Sequence, residues 1–289
     1  MNCGPVTRTV TCQSLQELWL HVLYRCNLQC RHCLFSCSPE KESYGELSMI
    51  ECREYVEAAM AQGVKAVYLT GGEPLLWTGL PGFLEWYYRR DKAVPLTILT
   101  NGTLIDAKTA GWLARYTGQG LVLRVSLECY TPGNHDDYRG TGNFARAIKG
   151  IKHLNNEGIT PWIAYVNKSG GSLDSSGTRC LENDFRTSLA ADYRLKIAGL
   201  KVIAAYAKGR FNGCVSPEAS PDQVAERAAT VQCNFGIAVS KAGIFPCPIL
   251  VDVPEARLSV DLAEVHGTSY DLHYEYCNSC FATGTSCGQ

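Results

Sequence analysis

No stretch of about 18 consecutive apolar residues occurs anywhere in the 289-residue chain, so the sequence offers no membrane-spanning helix. Its opening, MNCGPVTRTVTCQSLQELWLH, lacks the basic patch and the apolar run of roughly 7 to 15 residues that mark a secretion signal. Excess charge is missing as well: 27 Lys and Arg against 28 Asp and Glu give a formal net charge of −1. That balance supplies no basic field for phosphate backbones, which excludes nucleic-acid affinity resting on bulk charge. These absences together predict a cytoplasmic protein with no membrane or nucleic-acid partner. Hydrophobic residues make up 46% of the chain, enough for one large domain with a smaller appendage.

Cysteine is abundant, with 15 residues. In a chain without a secretion signal, metal ligation explains them better than disulfides. They concentrate at Cys26, Cys30, Cys33 and Cys37 near the start, and at Cys233, Cys247, Cys277, Cys280 and Cys287 near the end. Cys3, Cys12, Cys52, Cys129, Cys180 and Cys214 are scattered and read as small buried hydrophobes or inert thiols.

Between the two sets, strand-like and helix-like runs alternate. Apolar runs at 17–24, 65–70, 95–100, 121–127, 160–167 and 200–207 are separated by helical spacing at 48–63, 80–90, 106–116, 143–157 and 179–194. Six strand–helix units with short connections predict an α/β fold, a partial (β/α)6 barrel spanning 17–213 behind an N-terminal extension of 1–16. Such barrels carry their chemistry at the C-terminal strand ends. That rule puts LYRCNLQCRHCLFSCSP after the first strand, TGGEP after the second, TNGT after the third and Ser126 and Glu128 at the end of the fourth. Arg124, Ser126 and Glu128 share one strand face, which predicts an interior built for a polar ligand.

Cys26, Cys30 and Cys33 stand at C-x3-C-x2-C spacing. A structural zinc closes four tetrahedral positions, whereas three cysteines on a [4Fe–4S] cluster leave one iron open. With that loop, the sequence resembles the radical S-adenosylmethionine (radical SAM) superfamily, whose signature places an aromatic-type residue before the last cysteine; here it is His32. The resemblance implies a [4Fe–4S] cluster whose open iron is chelated by S-adenosylmethionine, and cleavage to a 5′-deoxyadenosyl radical. Gly71, Gly72, Glu73 and Pro74 match the family's glycine-rich segment, which holds the methionine amino group. Glycines admit close backbone approach and a carboxylate suits an ammonium. TNGTL, VSLE and HDDYRGTGNFARAIKGIKHL resemble the peptide- and small-molecule-modifying branch, with Glu128 where aspartate is usual. Ser126 then resembles a ribose or carboxylate contact, and Asn101 is either a cofactor contact or a turn residue beside Gly102. YAKGRF (206–211) resembles the segment that closes the barrel.

A linker helix is expected over 214–232, followed by a tail over 233–289. A tail this short needs a metal staple. Cys233, Cys247, Cys277 and Cys280 supply four thiolates, with a hairpin through GIAVS, KAG and IFPC bringing the first two together. This resembles the SPASM/twitch type of auxiliary-cluster domain and implies a second [4Fe–4S] cluster; a zinc knuckle from the same thiols stays open. Cys287 reads as a fifth, exchangeable ligand or as a free tail thiol, the latter favoured, and Cys37 falls outside the ligand set. A closed auxiliary cluster implies oxidation, with a side chain taking the proton. Glu128 and Tyr165 are the candidate catalytic bases, beside Lys168 and Tyr206. Because only residues 1–16 precede the first strand, no fused leader-peptide domain is expected, which favours oxidation of a small polar metabolite such as a sugar or cyclitol. A peptide-modifying maturase and a non-catalytic zinc or iron–sulfur protein remain alternatives, and an external flavodoxin or ferredoxin is the expected electron donor.

Overall fold

The computed structural model describes residues 8–42, 44–90, 94–168, 174–211, 219–228, 230–284 and 287–288. Cys3 and Cys214 lie outside them, as do residues 1–7 of the extension and 214–218 of the expected linker helix. A short strand β1 (Arg8–Thr11) comes first, and then the alternating part begins. Its strands are β2 (Glu17–His21), β3 (Ala66–Thr70), β4 (Leu96–Thr100), β5 (Leu121–Ser126), β6 (Trp162–Asn167) and β7 (Gly199–Ala204). Helices α1 (Met49–Ala61), α2 (Leu80–Tyr88), α3 (Ala107–Thr117), α4 (Pro132–Arg139), α5 (Asn143–Asn156) and α6 (Ser175–Tyr193) connect them. The six strands lie side by side, parallel and in chain order, giving the expected α/β partial barrel.

Local chemistry accounts for the element ends. Helix α1 starts at a capping box in which the Glu51 N–H donates to Ser48 Oγ (3.2 Å) and the Ser48 N–H donates back to Glu51 Oε2 (2.8 Å). Helix α4 is absent from the periodicity reading, because its face is polar. Pro132 at its first position and Gly140 after its end, at φ +94°, define it instead.

The tail contributes α7 (Pro221–Arg227), β8 (Gly236–Ser240), β9 (Gly243–Phe245), β10 (Ser269–Leu272) and α8 (Cys277–Thr283). Helix α7 is shorter than the expected 214–232 segment; Ser220 caps its start and Pro221 takes the first position. The hairpin β8–β9 forms as its sequence predicts, but β8 pairs in parallel with β2. The tail strand thereby extends the barrel sheet to eight strands in the order β7-β6-β5-β4-β3-β2-β8-β9. Strand β10 pairs antiparallel with β1, so the N-terminal extension belongs to the tail layer rather than standing alone.

Strand alternation divides the packing. Leu18, Leu20, Val67, Leu69, Leu123 and Val125 face the helices and are buried almost completely. Each such side chain stabilises the fold by about 1.5–3 kcal/mol relative to exposure. The opposite faces carry Glu17, Trp19, Tyr68 and Arg124 into the interior, where the Trp19 and Tyr68 rings stack at 4.2 Å. Glu17 accepts from Trp19 Nε1 (3.2 Å), Gln232 Nε2 (2.8 Å) and the Tyr68 hydroxyl (3.4 Å).

Arg124 is not spent on a polar ligand. Its Nη1 donates to the Cys287 carbonyl (3.0 Å) and its Nη2 to the Gly288 carbonyl (2.8 Å), while Gln232 Oε1 accepts from the Cys287 N–H (3.0 Å). The barrel floor is thus occupied by Cys287 and Gly288. Replacing Arg124 by Met would leave two buried carbonyls unpaired, at an expected cost of about 2 kcal/mol in urea unfolding. The same variant should render Cys287 open to alkylation; an unchanged unfolding midpoint with Cys287 still protected would show that Arg124 does not anchor the tail.

Candidate functional site

The cysteine loop leaves β2 and is held mainly through its carbonyls. Arg210 Nε donates to Cys30 O (2.7 Å), its Nη2 to Cys37 O (2.7 Å) and its backbone N–H to Cys33 O (3.0 Å). Gly209, at φ +66°, precedes it because any Cβ there would stand 2.2 Å from Cys33 O. From the other side the Arg31 N–H donates to Tyr138 O in α4 (2.7 Å).

Each thiol faces a donor. Cys26 Sγ receives the Leu28 N–H (3.4 Å) and Asn101 Nδ2 (3.9 Å), Cys33 Sγ receives the Cys37 N–H (3.3 Å), and Arg139 Nη1 lies 4.0 Å from Cys30 Sγ. Burial pushes the Cys26 thiol up to about 12 and raises Cys30, while hydrogen bonds from Cys37 hold Cys33 below the usual thiol range. A buried thiol raised in this way gives up its proton to a bound cation, which is the chemistry of a metal ligand. Cys37 itself is buried and supports Cys33 through its N–H.

The glycine segment packs against this loop. The Gly72 N–H donates to Leu23 O (2.7 Å) and the Glu73 N–H to Arg25 O (3.0 Å). A Cβ on Gly72 would sit 2.2 Å from Arg25 O, and one on Gly71, at φ +156°, 2.5 Å from Leu23 O. The close approach these glycines permit is to the backbone leading into the cysteine loop. Pro74 opens a turn of 3-10 helix, Pro74–Leu76, capped by Glu73. Glu73 is fully buried, and its oxygens accept from the Leu75 N–H (3.1 Å), Thr100 Oγ1 (2.7 Å) and the Asn101 N–H (2.8 Å). Burial pushes its carboxyl up, and all three of these donors are neutral. A cationic ammonium is the group this site lacks. Asn101 also joins the turn, accepting from the Thr103 N–H (2.9 Å) and donating to Asn27 Oδ1 (2.9 Å), as the turn reading expects.

Glu128 is the centre of a charged cluster. Its Oε1 accepts from His32 Nε2 (3.0 Å) and from Arg139 Nε (3.1 Å) and Nη2 (2.7 Å), and its Oε2 from Lys168 Nζ (2.5 Å). Burial alone would raise its carboxyl, but His32, Arg139 and Lys168 hold it well below the usual carboxylate range. A carboxylate so saturated is a poor base, which corrects its candidate role. Tyr165 packs edge-on to Phe185 of α6 at 5.9 Å, and its ring also lies 5.0 Å from Lys168 Nζ, beside the Glu128 cluster. Ser126, half-buried, shares the face of Glu128 at the end of β5.

A cavity of about 190 Å3 lies under the loop, lined by Cys30, His32, Cys33, Arg139, Ile203 and Tyr206 among others. A second cavity in the tail is lined by Cys233, Cys247, Cys277, Cys280 and Cys287 with apolar neighbours and, again, Tyr206. The Tyr206 hydroxyl lies 3.3 Å from Cys280 Sγ and 3.7 Å from Cys287 Sγ. Cys287 is therefore not a free tail thiol: it is 7% exposed and faces the same cavity as the other four. Among the described residues no three His, Cys, Asp or Glu side chains converge to hold a single ion. The donor sets are all sulfur, three thiols in the loop and five around the tail cavity, which suits an iron–sulfur cluster. Sequence reasoning passed over Arg139 and Arg210, although both sit inside the quoted HDDYRG and YAKGRF segments.

The sequence profile of the Radical SAM superfamily matches residues 20–169. The antilisterial bacteriocin subtilosin biosynthesis protein AlbA of Bacillus subtilis (strain 168) is 33% identical over 142 residues, 49% of this chain and 31% of that protein. Fe-coproporphyrin III synthase of Methanosarcina barkeri (strain Fusaro / DSM 804) is 34% identical over 146 residues, 50% of this chain and 35% of that protein. The chain thus spans about a third of the length of these two relatives. The crystal structure of Streptococcus suis SuiB bound to S-adenosylmethionine shares the fold, with a TM-score of 0.64 and 17% identity over 89% of this chain and 66% of that one. SuiB has also been solved bound to the precursor peptide SuiA. No helix among the described residues is long and apolar enough to cross a membrane.

Two outcomes test the site's physics. Because Glu128 is held below the unfolded carboxylate value of about 4.3, its stabilisation is complete above that value and is lost as pH falls through the lower folded one. Glu128→Gln should abolish this acid limb and, by stranding the Arg139 and Lys168 cations, cost about 3–5 kcal/mol at neutral pH. Parallel melting-versus-pH curves for the two proteins would refute the cluster. Gly72→Ala should displace the cysteine loop and lower iron uptake on anaerobic reconstitution by more than half, whereas wild-type iron content would show that the loop tolerates the added methyl.

Proposed function

The chain belongs to the radical SAM superfamily and is an enzyme of S-adenosylmethionine and a [4Fe–4S] cluster; on that premise we propose that it oxidatively modifies a peptide. When bound, the cluster and S-adenosylmethionine supply an electron and a 5′-deoxyadenosyl radical able to take a hydrogen atom from substrate. Cys26, Cys30 and Cys33 would hold that cluster, and Glu73 would accept the methionine ammonium. Gly71, Gly72 and Pro74 fix the Glu73 carboxylate against the cysteine loop, while Ser126, His32 and Asn101 are the further cofactor contacts we assign. Glu128 orients His32, Arg139 and Lys168 and keeps their charge compensated beneath the loop. Cys233, Cys247, Cys277 and Cys280 would hold the auxiliary cluster, and an external flavodoxin or ferredoxin would deliver the first electron.

The observation that carries the oxidative reading is the shared wall: Tyr206 borders both the cavity under the cysteine loop and the tail cavity. Two thiol-lined sites one side chain apart suit removal of a hydrogen atom at the first and of an electron toward the second. Two points support a peptide. AlbA is named for a bacteriocin pathway, and SuiB, whose fold this chain shares, has been crystallised with a precursor peptide. The cavity of about 190 Å3 also falls short of the roughly 300–1,000 Å3 of pockets for whole small molecules, and suits one side chain of a larger substrate. The expected preference for a sugar or cyclitol has no comparable support. Oxidation of a small metabolite keeps one observation in its favour, the similarity to Fe-coproporphyrin III synthase.

Anaerobically reconstituted protein with S-adenosylmethionine and dithionite should form 5′-deoxyadenosine, and Cys30→Ala should reduce this at least a hundredfold. With short peptides encoded beside its gene, the enzyme should give a product lighter by two hydrogens, read by mass spectrometry. Turnover of a porphyrin or sugar with every such peptide left unmodified would sink the peptide reading.

A further inference from the structure

Five thiols face the tail cavity, one more than a closed [4Fe–4S] cluster can use. Resting on the auxiliary-cluster reading, we infer that Cys287 is a reserve ligand of that site, placed to take over the corner held by Cys280. The Tyr206 hydroxyl reaches both sulfurs, at 3.3 Å and 3.7 Å, so the two thiols stand on the same side of the cavity. All five cysteines line that one cavity, and of the five Cys280 and Cys287 are in contact with the Tyr206 hydroxyl.

A thiol of no consequence would not need such anchoring. Its N–H is held by Gln232, the residue next to Cys233, and its carbonyl and that of Gly288 are held by Arg124 of β5. A side chain at 288 would collide with the Glu17 carboxylate, since a Cβ there would lie 2.2 Å from both its oxygens. Glycine at that position lets the chain end reach the barrel floor and turn Cys287 toward the cavity. Fixing a terminal segment costs about 1–2 kcal/mol of backbone entropy per residue. Four hydrogen-bonded contacts offset it, and their combined effect is to hold one sulfur beside Cys280. With that sulfur present, the Cys280 corner can open and reclose while the site keeps a full set of thiols.

The test uses the full chain reconstituted without oxygen, with iron and acid-labile sulfide counted and the reduced clusters recorded by electron paramagnetic resonance. Wild type is expected at about 8 Fe per chain, Cys280→Ala at the same value with an altered spectrum, and Cys280→Ala/Cys287→Ala at about 4. Cys247→Ala, with no reserve thiol beside it, is expected at about 4. Wild type at about 8 with Cys280→Ala at about 4 overturns this inference alone, as does Cys247→Ala holding about 8. Wild type at about 4 with zinc in the tail overturns the auxiliary-cluster reading and the inference with it. A second measurement does not depend on how the Cys280 variant folds: Cys287→Ala keeps four thiols, and its tail cluster should bleach several-fold faster than wild type under a chelator. Equal bleaching rates would overturn the reserve role.

Discussion

Everything around the two thiol sites hangs on the six residues Tyr206–Phe211. At one end the Tyr206 hydroxyl lies against the Cys280 and Cys287 sulfurs; at the other the Arg210 guanidinium binds the carbonyls of Cys30 and Cys37. Between them Gly209 lets the backbone run directly against the cysteine loop, and Lys208 ties Leu34 O (3.2 Å) to Asp252 (2.5 Å) of the tail. A loop of thiols this buried has carbonyls that water cannot reach, and unpaired they would each cost about 1–3 kcal/mol. One segment satisfies them and fixes the distance between the sites at the same time. Positioning the tail cavity and positioning the cysteine loop are therefore one structural problem, solved once.

Two buried carboxylates illustrate how environment divides identical chemistry. Glu73 receives neutral donors alone, and burial raises its proton affinity, which makes a cationic ligand the favourable partner. Glu128 is surrounded by three cationic or protonatable groups, and its charge is permanently satisfied. The first is poised to bind and the second to hold its neighbours. Glutamate in place of the family's usual aspartate at 128 gives the carboxylate one more methylene of reach, long enough to touch His32, Arg139 and Lys168 together.

Much of this was legible in the sequence because it depends on local spacing. The six parallel strands follow from alternating apolar runs, and the cysteine triad and Gly71–Pro74 follow from short motifs whose residues act within a few positions of each other. What stayed hidden depends on contacts between distant parts of the chain. The β1–β10 pairing joins residues some 260 apart, and the polar face of α4 left no apolar period to read. Arg124 looked like a ligand contact because its strand face is inward and polar, yet nothing near position 124 indicates that residues 287 and 288 will occupy that space. Tyr165 sits near a strand end as its position indicates, between Phe185 of α6 and Lys168 of the Glu128 cluster.

The filled floor bears on how substrate must arrive. Arg124 donates to the Cys287 and Gly288 carbonyls, and Gln232 pairs with the Cys287 N–H and with Glu17, so these inward groups are already engaged within the protein. Tyr206 closes the side toward the tail, and Cys30 and Cys33 with His32 and Arg139 line the cavity under the loop. The remaining space is narrow. A substrate that extends outside the barrel and inserts one side chain keeps the rest of its binding surface on the rim, where the loops after the strands supply contacts. Barrel chemistry at the strand ends and a floor occupied by residues 287 and 288 thus fit the peptide substrate proposed above, with selectivity for the reacting side chain in the cavity and for the substrate as a whole on its rim.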